Sequence, residues 1–344
     1  MTPEPAGHAP NSFPATLGSE VARDLLYLGF QARFLEARVR DLARSEVLHA
    51  DLAGFRVDPR STVLARAMRG GTDGKGDLCH PGPLAPGPAL AFGATPLEFL
   101  RHLAGKGTSS ASAREGGLSW TDLRRGIIGW GAPRGGTATQ VLAGAAFAFR
   151  QRGEDRAALV FERRSALQSG GWHEGVNLAG ALGVPLIVVL AAPQTGDGSD
   201  HADIEAVAAS YGIAFARVGR DSPERIFPTV AAARRRAVNG EGPTLIELLD
   251  AGDGNRWEHH DAFAELAVTE DGLPEQVLDA IRKAAAAGVE HAAARLAKEP
   301  GPSTRDALVP VCTDAAPHPP WTRRDPPAPD TPAPNDAMGP PHAE

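Results

Sequence analysis

The chain has 344 residues, of which 42% are hydrophobic and 22% charged, and its formal net charge is -7. This balance is typical of a globular protein and argues against a surface for nucleic acid or anionic membranes. There are two cysteines, no basic and apolar leader, and no apolar run near the ~20 residues of a membrane span. We therefore expect a cytoplasmic protein with neither nucleic acid nor membrane among its partners.

Helix signals dominate the first half of the chain, after a Pro- and Ala-rich arm at residues 1–16. Ser19 opens a long helix whose apolar residues recur at helical spacing. Residues 69–88 are rich in Gly and Pro and are predicted to form a loop. A short helix starts at Pro96, and an alanine-rich helix is predicted over Thr137–Gln151.

Short apolar strands alternate with helices in the second half. Asp221, Ser222 and Pro223 predict a helix start, with a capping side chain followed by proline in the first turn. Apolar strands separated by helices indicate an α/β fold with a parallel sheet covered on both faces. Ligand-binding residues should then follow the strand ends. The predicted strands lie at 157–161, 185–191, 213–218 and 244–249.

The end of the chain changes character. A final helical region is predicted over Leu273–Lys298, interrupted near Gly288. Beyond it the chain is rich in proline and has no apolar periodicity, and proline resists both helix and sheet. We therefore predict one folded domain at 17–299 and a disordered tail at 300–344.

Five segments carry a family pattern: GATPLEFLRHLAGKGT (93–108), QVLAGAAFAFRQRGEDRAALVF (140–161), GGWHEGVNLAGALGVPLIVVL (170–190), EGPTLIELL (241–249) and HHDAF (259–263). Together they resemble the α subunit of thiamine-diphosphate-dependent 2-oxo acid dehydrogenases of the pyruvate and branched-chain type. The resemblance implies a three-layer thiamine-diphosphate-binding fold with a helical N-terminal extension. It also implies a cofactor, thiamine diphosphate with Mg²⁺, and a β subunit as partner.

The residues that should hold this cofactor differ from the family. Its metal motif is Gly-Asp-Gly after one strand and Asn-Asn after the next, since Mg²⁺ prefers oxygen ligands. The resembling segments place the first motif on Arg163, Arg164 and Ser165, and the Asn pair on Ala192 and Pro193. An arginine about 4 Å from Mg²⁺ is unfavourable by roughly 8 kcal/mol. We therefore predict no metal ligand, no catalytic residue and no bound cofactor in this chain.

Two further family contacts are also missing. The Tyr-Arg pair that reaches the diphosphate falls on Pro83 and Leu84. The family's histidine loop should begin near Arg256, but the register of residues 252–263 against it stays open. His259, His260 and Asp261 are then predicted to lie in a surface loop.

Other motifs are interpreted as structural. Gly196-Asp197-Gly198 and Gly252-Asp253-Gly254 spell the metal motif, but no Asn pair follows either of them, and they predict turns. His173 and Glu174 are predicted to belong to the scaffold of their helix. Arg163 and Arg164 are expected to be neutralised by Glu162 and other acids.

Three functional hypotheses remain open. The first is a non-catalytic relative that keeps the fold and the assembly surfaces of the α subunit. The second is an active α subunit that oxidatively decarboxylates a 2-oxo acid together with a β partner. The third is a metal-free anion-binding protein that uses Arg163 and Arg164. We expect an oligomer, either of this chain or with a β-like partner, through the small residues of Thr137–Gln151.

Overall fold

A computed structural model gives the fold of this chain. It describes residues 17, 19–114, 120–129, 135–191, 203–219, 221–249, 256–269 and 273–303. Packing divides the chain into one unit ending at Pro302 and a second starting at Ser303. The predicted arm and nearly all of the predicted tail lie outside the described residues, so both stay predictions, as does the boundary of the domain at 17–299.

The described elements are ten helices and five strands, joined in places by short 3-10 turns. The helices are α1 Ser19–Arg44, α2 Pro59–Arg66, α3 Gly87–Ala91, α4 Pro96–Leu103, α5 Thr137–Arg152, α6 Gly170–Leu182, α7 Ile204–Ser210, α8 Pro223–Val238, α9 Glu258–Thr269 and α10 Glu275–Leu296. The strands are β1 Leu78–His80, β2 Ala158–Arg163, β3 Leu186–Ala191, β4 Ala214–Val218 and β5 Thr244–Leu248.

All five strands form a single parallel sheet in the order β1-β2-β3-β5-β4. The four strands predicted from the sequence are present and adjacent, which confirms the α/β fold with helices on both faces. Parallel pairing sets all their carboxyl ends along one edge of the sheet, which we call the carboxyl edge. Loops after β2, β3, β4 and β5 therefore meet at that edge.

Helices cover the sheet in two layers. The front layer, α1, α2, α8 and α9, packs on the face that carries Leu159, Ile187 and Ile246. The back layer, α5, α6 and α7, packs on the face that carries Val160 and Val188. A separate apolar cluster joins α1 to α4 and α10. Because alternate strand residues point to opposite faces, the apolar residues of the strands serve both layers.

Two predictions about local structure are wrong. Residues 69–88 are not only loop, because Leu78–His80 forms β1, paired with β2, and Gly87–Ala91 forms α3. Helix α10 is continuous through Gly288, with no interruption. Gly288 lies close to α1, where an added Cβ would come within 3.9 Å of the Tyr27 hydroxyl. Tertiary packing thus outweighs the low helix propensity of glycine at this position.

The start of α8 also differs from the prediction. Ser222 occupies the N-cap position but makes no side-chain capping bond. Asp221 instead accepts a hydrogen bond from the backbone N–H of Gly219, at 2.7 Å. Its carboxylate therefore closes the turn after β4 rather than the first turn of the helix, and Pro223 occupies the first turn as predicted.

Candidate functional site at the carboxyl edge

Arg164 is the residue that follows β2 at the carboxyl edge, at the start of a 3-10 turn, Arg164–Gln168. Its Nη1 donates to Oε1 of Glu247 on β5, at 2.5 Å. The two side chains are 13% and 6% exposed, so this is a buried ion pair. Strand β3 lies between β2 and β5, and the pair therefore spans the carboxyl edge across one intervening strand.

Glu247 is held on its other oxygen as well. Arg217 on β4 donates from Nε to Oε2 at 2.8 Å, and this hydrogen bond to Glu247 raises the pKa of Arg217. Arg217 is 48% exposed, so it forms the outer side of the group. One carboxylate thus accepts from two guanidinium groups, and both of its oxygens are engaged. We call Arg164, Glu247 and Arg217 the edge cluster.

Glu162 does not neutralise the arginines, contrary to the prediction. Its Oε1 accepts from the backbone N–H of Gly136 at 2.9 Å and from the hydroxyl of Thr139 at 3.2 Å. Burial raises the pKa of Glu162, although these hydrogen bonds work in the opposite direction. The carboxylate ties the end of β2 to the start of α5.

The structure separates the two arginines that the sequence places side by side. Arg164 turns to Glu247, whereas the side chain of Arg163 is exposed and makes no ion pair with any described residue. Ser165 is exposed. Ala192 and Pro193, the positions of the family's Asn pair, lie outside the described residues, as do both Gly-Asp-Gly motifs at 196–198 and 252–254, which were predicted to form turns.

The positions of the family's Tyr-Arg pair carry no ligand-binding group. They fall in a 3-10 turn, Gly82–Leu84, and Leu84 is buried in the apolar core of the front layer. Gly82 has a φ of +52°, and an added Cβ would lie 2.0 Å from the carbonyl oxygen of Phe161. This turn therefore packs directly against the end of β2.

The histidines occupy different settings. On α6, His173 accepts from or donates to the Tyr211 hydroxyl through Nδ1 and faces the Leu167 carbonyl through Nε2, at 2.7 and 2.8 Å. His259 and His260 belong to α9, so the predicted surface loop is wrong there. His260 is buried under α1, a position that no pattern in the sequence indicated.

Among the residues that the structure describes, no group of three or more His, Cys, Asp or Glu side chains could hold a metal ion. No described helix is long and apolar enough to cross a membrane. Cys79 is buried on β1, and burial raises the pKa of its thiol.

Residues 74–260 match the family model described as dehydrogenase E1 component. The chain belongs to this family. Over 113 residues, it is 34% identical to the α subunit of the pyruvate dehydrogenase E1 component of Bacillus subtilis, a match that covers 31% of this chain and 30% of that one. Over 251 residues, it is 26% identical to the α subunit of the acetoin:2,6-dichlorophenolindophenol oxidoreductase of Cupriavidus necator, covering 65% and 75%.

Solved structures of transketolases are also similar to this chain. The transketolase of Campylobacter jejuni matches with a TM-score of 0.48 and 16% identity, over 79% of this chain and 47% of that one. The family is that of thiamine-diphosphate-dependent 2-oxo acid dehydrogenases, whose α subunits work with β subunits. The resemblance inferred from five sequence segments is thereby confirmed.

Proposed function

We propose that this chain is a non-catalytic relative of the 2-oxo acid dehydrogenase α subunits, one that keeps their fold and assembly surfaces. The observation that carries the proposal is the edge cluster. Arg164, at the position of the family's metal-binding aspartate, is committed to a buried ion pair with Glu247. The positions that surround it in the family offer Leu84, a buried apolar residue, instead of an arginine.

The residues at this edge do not fit Mg²⁺–thiamine diphosphate. Mg²⁺ prefers oxygen ligands in octahedral geometry, and a guanidinium has five donors and no acceptor. Glu247 is the carboxylate that faces Arg164, but both of its oxygens already accept from arginines. Withdrawing Glu247 from this pair costs about 2 kcal/mol, the value of a buried hydrogen bond to a charged group, which metal binding would have to exceed. No catalytic step is therefore assigned to the cofactor here.

Exposed apolar side chains on the back layer support the proposal that this chain assembles with a partner. Val141 and Phe147 on α5 and Leu178 on α6 are large apolar side chains with more than a third of their surface exposed. Gly144 lies between the first two along the helix, and nothing lies within 4 Å of the position where its Cβ would be. We propose that these side chains contact a β-like subunit, with a second copy of this chain as the alternative. Sedimentation should show an oligomer at micromolar concentration, alone or with that subunit.

The first test of the non-catalytic assignment is Arg164→Asp. We expect no Mg²⁺-dependent binding of thiamine diphosphate to this variant, because Ala192 and Pro193 supply no side-chain oxygen and Leu84 stays apolar. Arg235→Asp on the exposed side of α8 is the matched control for the change in charge. If Arg164→Asp alone created cofactor binding, the alignment of the second strand end would be wrong.

The metal-free anion-binding hypothesis is the second candidate, and one observation favours it. Arg163 is an exposed cation at the carboxyl edge, with no ion pair among the described residues. Arg163 has no second arginine beside it with which to hold an anion, because Arg164 is paired with Glu247. Diphosphate should therefore bind weakly, without metal, and should be released by salt.

The proposal also covers the domain boundaries of the protein and its cellular compartment. We place the working domain at 17–299 and a disordered, Pro-rich tail at 300–344. We place the protein in the cytoplasm, since it has two cysteines and Cys79 is buried as a free thiol.

A further inference from the structure

A cleft opens on the front layer, between α1, α2 and the starts of α8 and α9. Its volume is about 550 Å³ when the open mouth is included. Glu247 points to the back face of the sheet, with Leu245, whereas the cleft residues Val63 and Ile226 belong to the front core. The cleft is therefore separate from the edge cluster, and what it binds does not depend on the proposed function.

The charged residues of the lining leave the cleft with a negative excess. Asp221 and Glu258 are the two acids that line it. Arg60 lines it as well, but it is neutralised by a bidentate pair with Asp58, at 3.0 and 2.7 Å. Arg256 therefore offsets one of the two acids and leaves the other uncompensated. A ligand with a single positive charge would balance the lining, whereas an anion would be repelled.

Asp221 offers a carboxylate oxygen to a ligand. Its Oδ2 accepts from the backbone N–H of Gly219, at 2.7 Å. No residue that the structure describes donates to its Oδ1. The turn after β4 thus holds the carboxylate in place and leaves one oxygen as an acceptor. Glu258 is exposed and adds its carboxylate at the open side of the cleft.

His260 is a buried polar group of the same cleft that lacks a partner. It is 5% exposed, and neither of its ring nitrogens has a hydrogen-bond partner among the described residues. Nδ1 lies 4.0 Å from Oδ1 of Asp261, which is beyond hydrogen-bond length. Buried polar groups without a partner are rare in folded proteins, and this one points to a ligand that completes it.

The surroundings of His260 make Nε2 the acceptor that faces the cleft. We assign the ring proton to Nδ1, because the carboxylate of Asp261 faces that nitrogen, and the lone pair then lies on Nε2. Gly29 also lines the cleft, and a Cβ added there would lie 2.1 Å from Nε2. Any larger side chain at residue 29 would cover this nitrogen or displace the ring. The glycine therefore leaves Nε2 uncovered.

The rest of the lining is largely aliphatic. Such a wall accepts a short hydrocarbon chain and offers no partner to a second polar group. The apolar lining residues are Leu25, Pro59, Val63, Pro223 and Ile226.

We propose that this cleft binds a small primary alkylammonium ion. Its –NH₃⁺ group would donate to Asp221, Glu258 and Nε2 of His260, and its hydrocarbon chain would lie against the aliphatic wall. A primary ammonium has three donors and no acceptor, and these three groups are all acceptors. Hydrogen bonds from an ammonium to carboxylates are among the stronger ones in proteins. A mostly apolar cleft with a few convergent polar groups is the usual form of a small-molecule site.

The test is a ligand-observed NMR titration of the full chain with three probes of equal chain length. Butylammonium carries both features, butan-1-ol lacks the charge, and butyltrimethylammonium keeps the charge but has no N–H donor. We expect saturable binding of butylammonium, at least about tenfold tighter than that of the other two probes. Either of those probes binding as tightly as butylammonium, or no saturable binding of butylammonium, would overturn the proposal.

Two variants assign the binding to this cleft through its negative charge. Asp221→Asn should weaken butylammonium binding by about tenfold, since a hydrogen bond between charged groups is lost. The amide oxygen of the new side chain can still accept from Gly219, so the turn after β4 should persist. The matched control is Glu174→Gln, which removes one negative charge from the exposed side of α6 on the back layer and should leave binding unchanged.

Two further variants test the sign of the charge and the role of the histidine. Arg256→Gln should strengthen butylammonium binding by roughly threefold, because it removes a like charge from the lining. Gly29→Ala should weaken it by about tenfold, because the added methyl covers or displaces Nε2. Weaker binding in Arg256→Gln would overturn the proposal. Undiminished binding in both Asp221→Asn and Gly29→Ala, with unchanged thermal unfolding, would refute the proposed site.

Discussion

Two buried ion pairs lie at opposite edges of the same sheet, and they are built differently. At the amino edge, Asp77 is fully buried and accepts from the backbone N–H groups of Arg69 and Ala157, at 2.6 and 2.9 Å. Arg234 on α8 adds a bidentate contact, at 2.6 and 3.1 Å. At the carboxyl edge, Glu247 instead accepts from two side chains, those of Arg164 and Arg217.

The difference indicates two roles. Asp77 fixes the chain itself, because it joins the turn before β1 to the start of β2 through their backbone N–H groups, and it holds α8 through the side chain of Arg234. The edge cluster instead determines the charge at the carboxyl edge. Its members contact each other through side chains, and another charged group could take the place of one of them. An ion pair at the amino edge is far from where parallel sheets bind ligands, whereas the edge cluster lies where they do. We therefore interpret Asp77 as structural and Glu247 as a determinant of what the carboxyl edge can bind.

The largest effect is expected for Asp77→Asn. It leaves Arg234 facing a neutral amide and places an NH₂ group where the carboxylate accepts four hydrogen bonds. Breaking a buried pair of this kind should lower the free energy of unfolding by about 3–5 kcal/mol. Denaturant unfolding measures it, with Asp155→Asn, an exposed partner of the same arginine, as the control that should cost under about 1 kcal/mol. Equal losses in the two variants would remove the special role of Asp77.

A smaller loss, about 2 kcal/mol, is expected for Glu247→Gln, because the buried guanidinium of Arg164 loses the carboxylate that faces it. If the pair determines the charge of the carboxyl edge and does not hold the fold together, replacing both residues should be tolerated. The double variant Arg164→Leu with Glu247→Leu should then recover most of the free energy of unfolding that Glu247→Gln loses. A double-mutant cycle in denaturant measures the coupling. A double variant as unstable as the sum of the single variants would mean that the edge cluster is structural like Asp77.

The smallest effect on stability is expected for an ion pair that lies outside the sheet. Glu299, after α10, pairs with Arg101 on α4 and accepts from Thr108. The hydrogen bond from Arg101 is the main cause that lowers the pKa of Glu299 to about 2. Because the folded-state pKa is depressed, the pair stabilises the fold above the ordinary glutamate pKa, and this stability is lost as the pH falls toward 2.

Thermal unfolding measured between about pH 5 and about pH 2 tests whether this stability is lost in acid. Glu299→Gln should be less stable than the native chain at neutral pH and should converge with it in acid. A constant difference across the whole range would contradict the depressed pKa of Glu299.

The sequence predicted the sheet well for a physical reason. Strands buried on both faces are continuous apolar runs, and β2 and β3 each show one, whereas Arg217 interrupts β4 and Glu247 interrupts β5. Strand β1 could not be found this way, because Leu78–His80 is three residues long and lies between Asp77 and Pro81. The continuity of α10 through Gly288 depends on packing near Tyr27, which lies far away in sequence.

The candidate site was predictable only in part. The sequence identified Arg164 as the residue at the metal position, but its partner Glu247 lies 83 residues away within an apolar strand. Glu162, one residue from the arginines, was the obvious acid and was the wrong one, because it points to α5. The burial of His260 depends on Gly29 in another helix, and neither residue signals the other in the sequence.

The measurement that tests the central claim most directly is calorimetric titration of the purified chain with thiamine diphosphate, alone and together with a β subunit of the family. It is run in low salt with Mg²⁺ and repeated with excess chelator. We predict no Mg²⁺-dependent binding in either state, with at most weak, salt-sensitive binding that the chelator leaves unchanged. Micromolar binding that appears only with Mg²⁺ would contradict the assignment of this chain as a non-catalytic relative.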